Sequence, residues 1–457
     1  GRMDALARRS PALAALLALG ACGDDRLPAD PCEYAVCDIT DADCARQVAE
    51  AVACNLDQDP IYPTVRMLSP ADYLAEQDAA DPDNPSAAEQ RDRDDYLRMQ
   101  ILVGLMPAGY MPADADADYL SNFAAFYSPT RKDIVILTGR KGSDVASDYI
   151  ILVHEMTHAY QDAAHDLSTL EAEKARTWDR SLGLHALIEG GAVLQQNFAQ
   201  LALSRINVLG VDWGAYFADW QEESLERALA SDTPALDTSA FFPYSFGGQF
   251  VFDAWTYDGP EGVEALFDQP PDSVRQVISD YSSWPDLVRN EDAQLDPHAV
   301  AVLPANYQFI GGGHEGVWSL NATLQRTAQG GLWTPDLSDV SADYLAAWRW
   351  NDDRVAAIWR IRSARRTPLL NDLTAGVWRL DSDVATTHVV AEVDDDLLLI
   401  AVSEGDARLV LADISGWQSP EEAAPDADAG AVRRRQLGRR DLACAPPRPP
   451  RALTPAT

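Results

Sequence analysis

The stretch ILVHEMTHAYQDAAH, Ile151 to His165, constrains the fold of this chain more than any other, because it sets two histidines four residues apart inside an apolar run. On an α-helix that spacing becomes a single face. His154 and His158 then project one turn apart, at a separation that can chelate a single ion. Glu155 falls about 100° round the helix from His154, close enough to reach a water polarised by that ion without ligating the ion itself. Two neutral nitrogens, an open coordination position and a carboxylate that can take a proton are what hydrolysis at zinc requires. The opposing reading is a pair of histidines that meet on a helix by chance. The context favours the metal, since Ile150 to Val153 give an apolar lead-in, Ala159 and Tyr160 continue the buried side, and an expected strand precedes the helix.

Catalytic zinc takes three protein ligands, so a third must lie elsewhere. The metzincin continuation is absent: Gln161 stands where its glycine belongs, Ala164 where its third histidine would be, and His165 is one place out of register. The best candidate is Glu189 in LHALIEGGAVLQQ, a carboxylate in the middle of an otherwise apolar helix, where burial is costly unless the group is paired or bound to metal. The alternative is a glutamate that reaches solvent at a helix edge beside Gly190 and Gly191. His185, one turn before Glu189, suits a supporting or core position better than a ligand.

The charge of −36 argues against nucleic acid and anionic headgroups as partners, because so acidic a surface repels phosphate. The N-terminal segment carries Arg8 and Arg9 and then the apolar run PALAALLALGAC, which is too short to span a bilayer. It reads as a secretory signal over residues 1–22. Its end, Leu19-Gly20-Ala21-Cys22, resembles a bacterial lipobox, which makes Cys22 a lipidation candidate and places the protein on the outer side of a bacterial membrane; an ordinary cleaved signal is the alternative. Cys32, Cys37, Cys44 and Cys54 follow closely, and in an exported chain they form two disulfides in any of three connectivities.

Residues 23–60 read as a tether stapled by those disulfides, and 77–95 as a polar, acidic surface segment with no core-forming pattern. A strand or hairpin is expected in FAAFYSPTRKDIVILTG, with its turn at Ser128 and Pro129. Gly142, Ser143 and Asp144 supply an N-cap for a helix to about Ala164; further helices are expected over 177–205, over 213–229, and in FFPYSFGGQFVFDAW behind its proline. Beyond residue 300, runs such as GVWRL and DLLLIAVS suggest a smaller mixed region over 301–415. The stretch 416–457, rich in arginine and proline toward its end, is expected to be disordered or an out-of-frame translation.

Taken with the distal Glu189 in its EGxA context, the HExxH helix resembles the gluzincin metallopeptidases. AFYSPTRKDIVIL, HEMTHAYQD, ALIEGGA, FPYSFGGQFV, PPDSVRQVI and WNDDR are similar to a secreted bacterial branch of that group, over roughly residues 96–360. The resemblance implies an α+β, zincin-like catalytic domain over 61–300, with a small twisted sheet, an active-site helix and a mostly helical second lobe. It implies one zinc ion on His154, His158 and Glu189, with Glu155 as general base and acid and a peptide or protein as substrate. It also draws attention to Tyr244 as an oxyanion donor, against a plain packing role at a helix start. One departure stands out: Val193 occupies the place where many gluzincins carry a histidine-orienting aspartate, and Asp162 is the candidate to replace it. A zinc-binding protein without turnover, and a zinc hydrolase of another amide or ester, remain the alternatives.

Other motifs carry little. DADAD, Asp114 to Asp118, lacks the glycine and the bidentate glutamate of a calcium loop. GGGHEG, Gly311 to Gly316, reads as a turn with a structural histidine. No Gly-rich phosphate loop and no serine nucleophile elbow occurs.

Overall fold

A computed structural model describes residues 32–414 apart from 81–85, 108–109, 111–123, 140–143, 176, 231–232, 280, 282–302, 304, 328–339, 351–353, 365, 378–386, 394–395, 404 and 406. The expected signal segment with Cys22, the DADAD run and the stretch from 416 onward lie outside the described residues.

In chain order the elements are α1 (Ala42–Leu56), β1 (Thr64–Leu68), α2 (Pro70–Ala80), α3 (Ala87–Leu102), β2 (Ala125–Ser128), β3 (Asp133–Leu137), α4 (Val145–His165), α5 (Leu167–Lys174), α6 (Trp178–Ser204), α7 (Trp213–Leu229), α8 (Pro234–Asp258), α9 (Pro260–Asp268), α10 (Val274–Val277), β4 (Tyr307–Gly313), α11 (Gly316–Thr327), β5 (Val340–Trp350), β6 (Arg354–Ser363), α12 (Arg366–Val377), β7 (Thr387–Val393), β8 (Asp396–Val402) and α13 (Ala407–Ile414). They make an α+β fold with two sheets among the described residues, a three-stranded one in the order β1-β3-β2 and a five-stranded one in the order β4-β5-β6-β8-β7.

The hairpin forms where its turn chemistry predicts. Lys132 N–H returns to Ser128 O at 2.7 Å, and β2 runs antiparallel to β3 from Ala125 opposite Ile136 to Ser128 opposite Asp133. On its other side β3 takes β1 in parallel, with Thr64 beside Asp133. Asp144 caps α4 by accepting from Ser147 N at 2.8 Å, and α4 then runs through the interior with every residue from Ser147 to Asp162 buried. A helix enclosed on all sides carries polar groups only if each finds a partner there, which frames the chemistry of His154, Glu155 and His158.

The disulfide-bonded segment is not a tether. Cys32 pairs with Cys54 and Cys37 with Cys44, fixing residues 32–37 to α1. Val48, Ala49 and Val52 of α1 are buried in one apolar cluster with Tyr149, Leu152 and Met156 of α4 and with Ala125 and Ile134 of the sheet. Tyr160 of α4 locks the contact, donating to Ala49 O at 2.9 Å and accepting from Ile61 N at 3.0 Å. The spacing of Cys44, Val48 and Val52 is that of one helix face, a pattern overshadowed in the sequence by the crowding of cysteines.

The acidic stretch before Tyr96 is also structural. A capping box between Ser86 and Glu89 opens α3, whose Asp92 and Asp95 reach Arg349 on β5. Arg349 Nε and Nη2 lie 2.8 and 2.6 Å from Asp95 Oδ2, in a site where both residues are buried. An Arg349→Met variant takes the buried partner from Asp95, leaves it only the half-exposed Arg98 at 3.5 Å, and is expected to lose up to about 3 kcal/mol of stability. Urea unfolding checks this as a lower midpoint with an unchanged slope.

The region beyond residue 300 shares its core with what precedes it. Residues of α3, α6, α8, α11, β5, β6 and β8 join one apolar cluster, which includes Met99, Leu187, Phe242, Trp318, Leu345, Trp359 and Leu399. DLLLIAV forms β8, whereas Gly376 and Val377 of GVWRL close α12 instead of entering a strand. His314 of GGGHEG bonds the Asp343 carbonyl, and the Asp343 carboxylate accepts from the amides of Glu315 and Gly316 at 3.0 and 2.9 Å.

The helix expected behind Pro243 starts earlier, at Pro234, and carries Pro243 in its interior. The lost N–H and ring clash of an interior proline cost about 3 kcal/mol or more. The long contact of α8 with α6 offsets this. The two helices meet at bare backbone: a Cβ on Gly190 would lie 2.3 Å from Gly247 O, and one on Gly247 would lie 2.2 Å from Ala186 O. Gly190 of EGG and Gly247 of FGG are therefore the crossing point, and they bring Glu189 and Tyr244 into the same neighbourhood.

Candidate metal centre

Helices α4 and α6 carry the three residues that converge. His154 Nε2 lies 3.0 Å and His158 Nε2 3.5 Å from the same oxygen, Glu189 Oε2, and the ligand atoms of the three residues all fall within 4.8 Å of one another. Among the described residues no other group of three histidine, cysteine or acidic side chains draws so close. The two imidazoles sit edge to face with centroids 4.8 Å apart. All three residues are buried, His154 completely.

The outer nitrogen of each ring is fixed. His154 Nδ1 faces Gln196 Oε1 at 3.1 Å, and His158 Nδ1 faces Gln161 Oε1 at 2.8 Å. Gln161 is oriented unambiguously, because its Nε2 donates to Ile188 O at 2.8 Å and leaves Oε1 as the acceptor for the imidazole. A neutral ring that donates from Nδ1 has a bare lone pair on Nε2. The bare Nε2 of His158 thus points at the carboxylate oxygen that His154 Nε2 meets at 3.0 Å, and it makes no hydrogen bond there. Lone pairs facing a carboxylate repel it unless a proton or a cation lies between them.

A divalent cation suits this donor set. Tetrahedral zinc with bonds of about 2.0–2.1 Å keeps its ligands roughly 3.3 Å apart, close to the two histidine–carboxylate separations of 3.0 and 3.5 Å. Burial alone would push the Glu189 carboxyl up, and it is the positive charge of protonated imidazoles, a part a bound cation would take over, that holds its pKa well below the ordinary range. Burial pushes the His154 imidazole down, against the pull of Glu189, and so favours the neutral form that a metal needs.

Glu155 is enclosed beside the cluster without ligating it. Neither of its oxygens makes a hydrogen bond of regular geometry, and burial, reinforced by the charge of Glu189, raises its pKa far above the carboxylate norm, with the Tyr127 backbone offsetting a little. A bound cation would pull it back toward ionisation. The Tyr244 ring, on α8, stacks near His154 with centroids 5.9 Å apart.

Two expected supporting residues sit elsewhere. Asp162 points away from the histidines: its Oδ2 accepts from Tyr127 OH at 2.6 Å and Lys132 Nζ at 2.7 Å, and its Oδ1 from Leu167 N at 3.0 Å. It ties the hairpin to the end of α4. His185 pairs with Glu171 at 3.3 Å; burial opposes its protonation, but the carboxylate prevails and raises its pKa. The residues that do hold the rings, Gln161 and Gln196, were missed. Their spacing was a signal: Gln161 is one turn beyond His158, and Gln196 two turns beyond Glu189 on the same helix face.

Comparison with protein-family models, curated proteins and solved structures finds no match for this chain.

Proposed function

We propose that this chain is an exported zinc-dependent hydrolase that cleaves peptide bonds, with a zincin-like arrangement of α4 against the small sheet. The observation that carries the reading is the convergence of His154, His158 and Glu189 on one space, with the unligated carboxylate of Glu155 alongside. Zinc, when bound by those three residues, supplies the Lewis acidity that polarises a water and a substrate carbonyl. Glu155 takes the proton that water gives up as it attacks, and then delivers it to the departing amine nitrogen. Tyr244, carried beside His154 by α8, donates a hydrogen bond to the carbonyl oxygen as negative charge builds on it. Burial keeps bulk water from competing with either transfer.

Cleavage of a broad peptide library, abolished by a chelator and restored by stoichiometric zinc, is the expected result. One observation favours a second reading, a zinc-binding protein without turnover: His154 and Glu155 are both 0% exposed, so substrate must displace whatever covers them. Zinc binding without cleavage of peptides or of an amide and ester panel would select that reading.

Two disulfides among the described residues support export to an oxidising compartment. With Cys22 as the acylated residue, the wild type is expected in the membrane fraction. A Cys22→Ser variant is expected in the soluble fraction of the envelope, checked by detergent phase partition.

A further inference from the structure

We infer that Gln161 is the positioning residue of the metal centre, setting the ring of His158 and the place of Glu189 through one carboxamide. The inference rests on the zinc reading of His154, His158 and Glu189. Gln161 lies on α4 and spans to α6. Its Oε1 accepts from His158 Nδ1 at 2.8 Å, and its Nε2 donates to the carbonyl of Ile188, the residue before Glu189, at 2.8 Å. A helix-interior carbonyl takes this second bond in addition to any within the helix, so it costs the helix nothing and fixes α6 relative to α4. The acceptor oxygen holds the His158 proton on Nδ1, which leaves Nε2 bare toward Glu189.

Space for this brace is made by one residue. A Cβ on Gly191 would lie 2.5 Å from Gln161 Nε2 and 3.7 Å from its Cδ, with nothing else within 4 Å. Gly191 therefore differs from its neighbour Gly190, whose Cβ would strike the backbone of Gly247. The second glycine of EGG is there for Gln161. Because Gln161 ends a flexible side chain, Gly191→Ala is expected to swing it aside and leave the helices in place. Among the described residues the Nδ1 of each of the two histidines faces a carboxamide oxygen, Gln196 Oε1 and Gln161 Oε1, and no carboxylate.

The test is a double-mutant cycle on the full chain with Gln161→Met, Gly191→Ala and both together. Zinc affinity is read by competition with a chromophoric chelator, and folding by far-ultraviolet circular dichroism and urea midpoint. Imidazole nitrogen NMR of the metal-free protein reports the His158 tautomer directly. Each single variant is expected to bind zinc 10–100-fold more weakly while remaining folded. The double variant is expected to be no weaker than Gln161→Met, because the hydrogen bonds that Gly191→Ala would break are already absent. His158 is expected as the Nδ1–H tautomer in wild type and as a mixture in both single variants. Additive losses in the double variant, or a His158 tautomer unmoved by Gln161→Met, would overturn the inference. The tautomer readout needs no metal, so a wild type that binds no zinc would sink the zinc reading and leave this measurement to decide the role of Gln161.

Discussion

Replacing Glu155 by glutamine is expected to abolish hydrolysis while leaving zinc binding intact. The side chain keeps its shape and loses only the capacity to accept and return a proton, so the expected loss is on the order of 10²–10⁴-fold in kcat. Stability is expected to move the other way. The Glu155 carboxyl is fully buried without a hydrogen bond of regular geometry, and its pKa is raised by burial and by the charge of Glu189. Ionised or neutral, such a group is costly, and an amide removes the ionisable part of that cost. The metal-free variant should therefore unfold at the same urea concentration as wild type or a higher one. That combination, lower activity without lower stability, marks a residue kept for chemistry at the expense of packing. A variant that lost zinc along with activity would instead place Glu155 among the ligands, and one that kept activity would remove it from the mechanism.

Gly247→Ala carries the largest expected cost to the fold. The added carbon would sit 2.2 Å from Ala186 O and 2.8 Å from the Ala186 carbonyl carbon and Cα, all of them main-chain atoms of α6 that cannot swing aside. Helices α6 and α8 would have to separate along a contact that runs through the main apolar cluster. Overpacking of this kind costs about 1–3 kcal/mol, and a clash of backbone on backbone belongs at the upper end or beyond. Zinc affinity should fall with stability, because Glu189 lies one residue from the Gly190 crossing. Gly210→Ala is the control: nothing lies within 4 Å of its added carbon, so it is expected to stay within about 0.5 kcal/mol of wild type. Urea unfolding and zinc titration of the two variants side by side make the comparison.

Residues fixed by local periodicity were legible in the sequence. His154, Glu155 and His158 follow from one helical spacing, and Glu189 from the cost of an unpaired carboxylate in an apolar helix; the structure brings His154, His158 and Glu189 to one point. The hairpin of β2 and β3 and the bounds of α4 and α6 were likewise carried by turn and cap residues. What was not legible depends on contacts between distant elements. Gln196 has no charge to betray it and reaches His154 only because α6 is held against α4, and the same packing gives Gln161 its bond to Ile188. The acidic opening of α3 looked solvated, yet Asp95 is buried against Arg349, 254 residues away. Pro243 signals a helix start by local rules, but tertiary packing carries α8 straight through it.

The central claim is that His154, His158 and Glu189 together hold one zinc ion. Elemental analysis of purified, folded protein after zinc loading and desalting, paired with X-ray absorption at the zinc edge, tests it most directly. The expected result is one zinc per chain in wild type, with two imidazole nitrogens and carboxylate or water oxygen at about 2.0–2.1 Å, and a loss of that zinc in Glu189→Ala. A folded wild type that retains no zinc, or a Glu189→Ala variant that keeps the same stoichiometry and the same absorption spectrum, would contradict it.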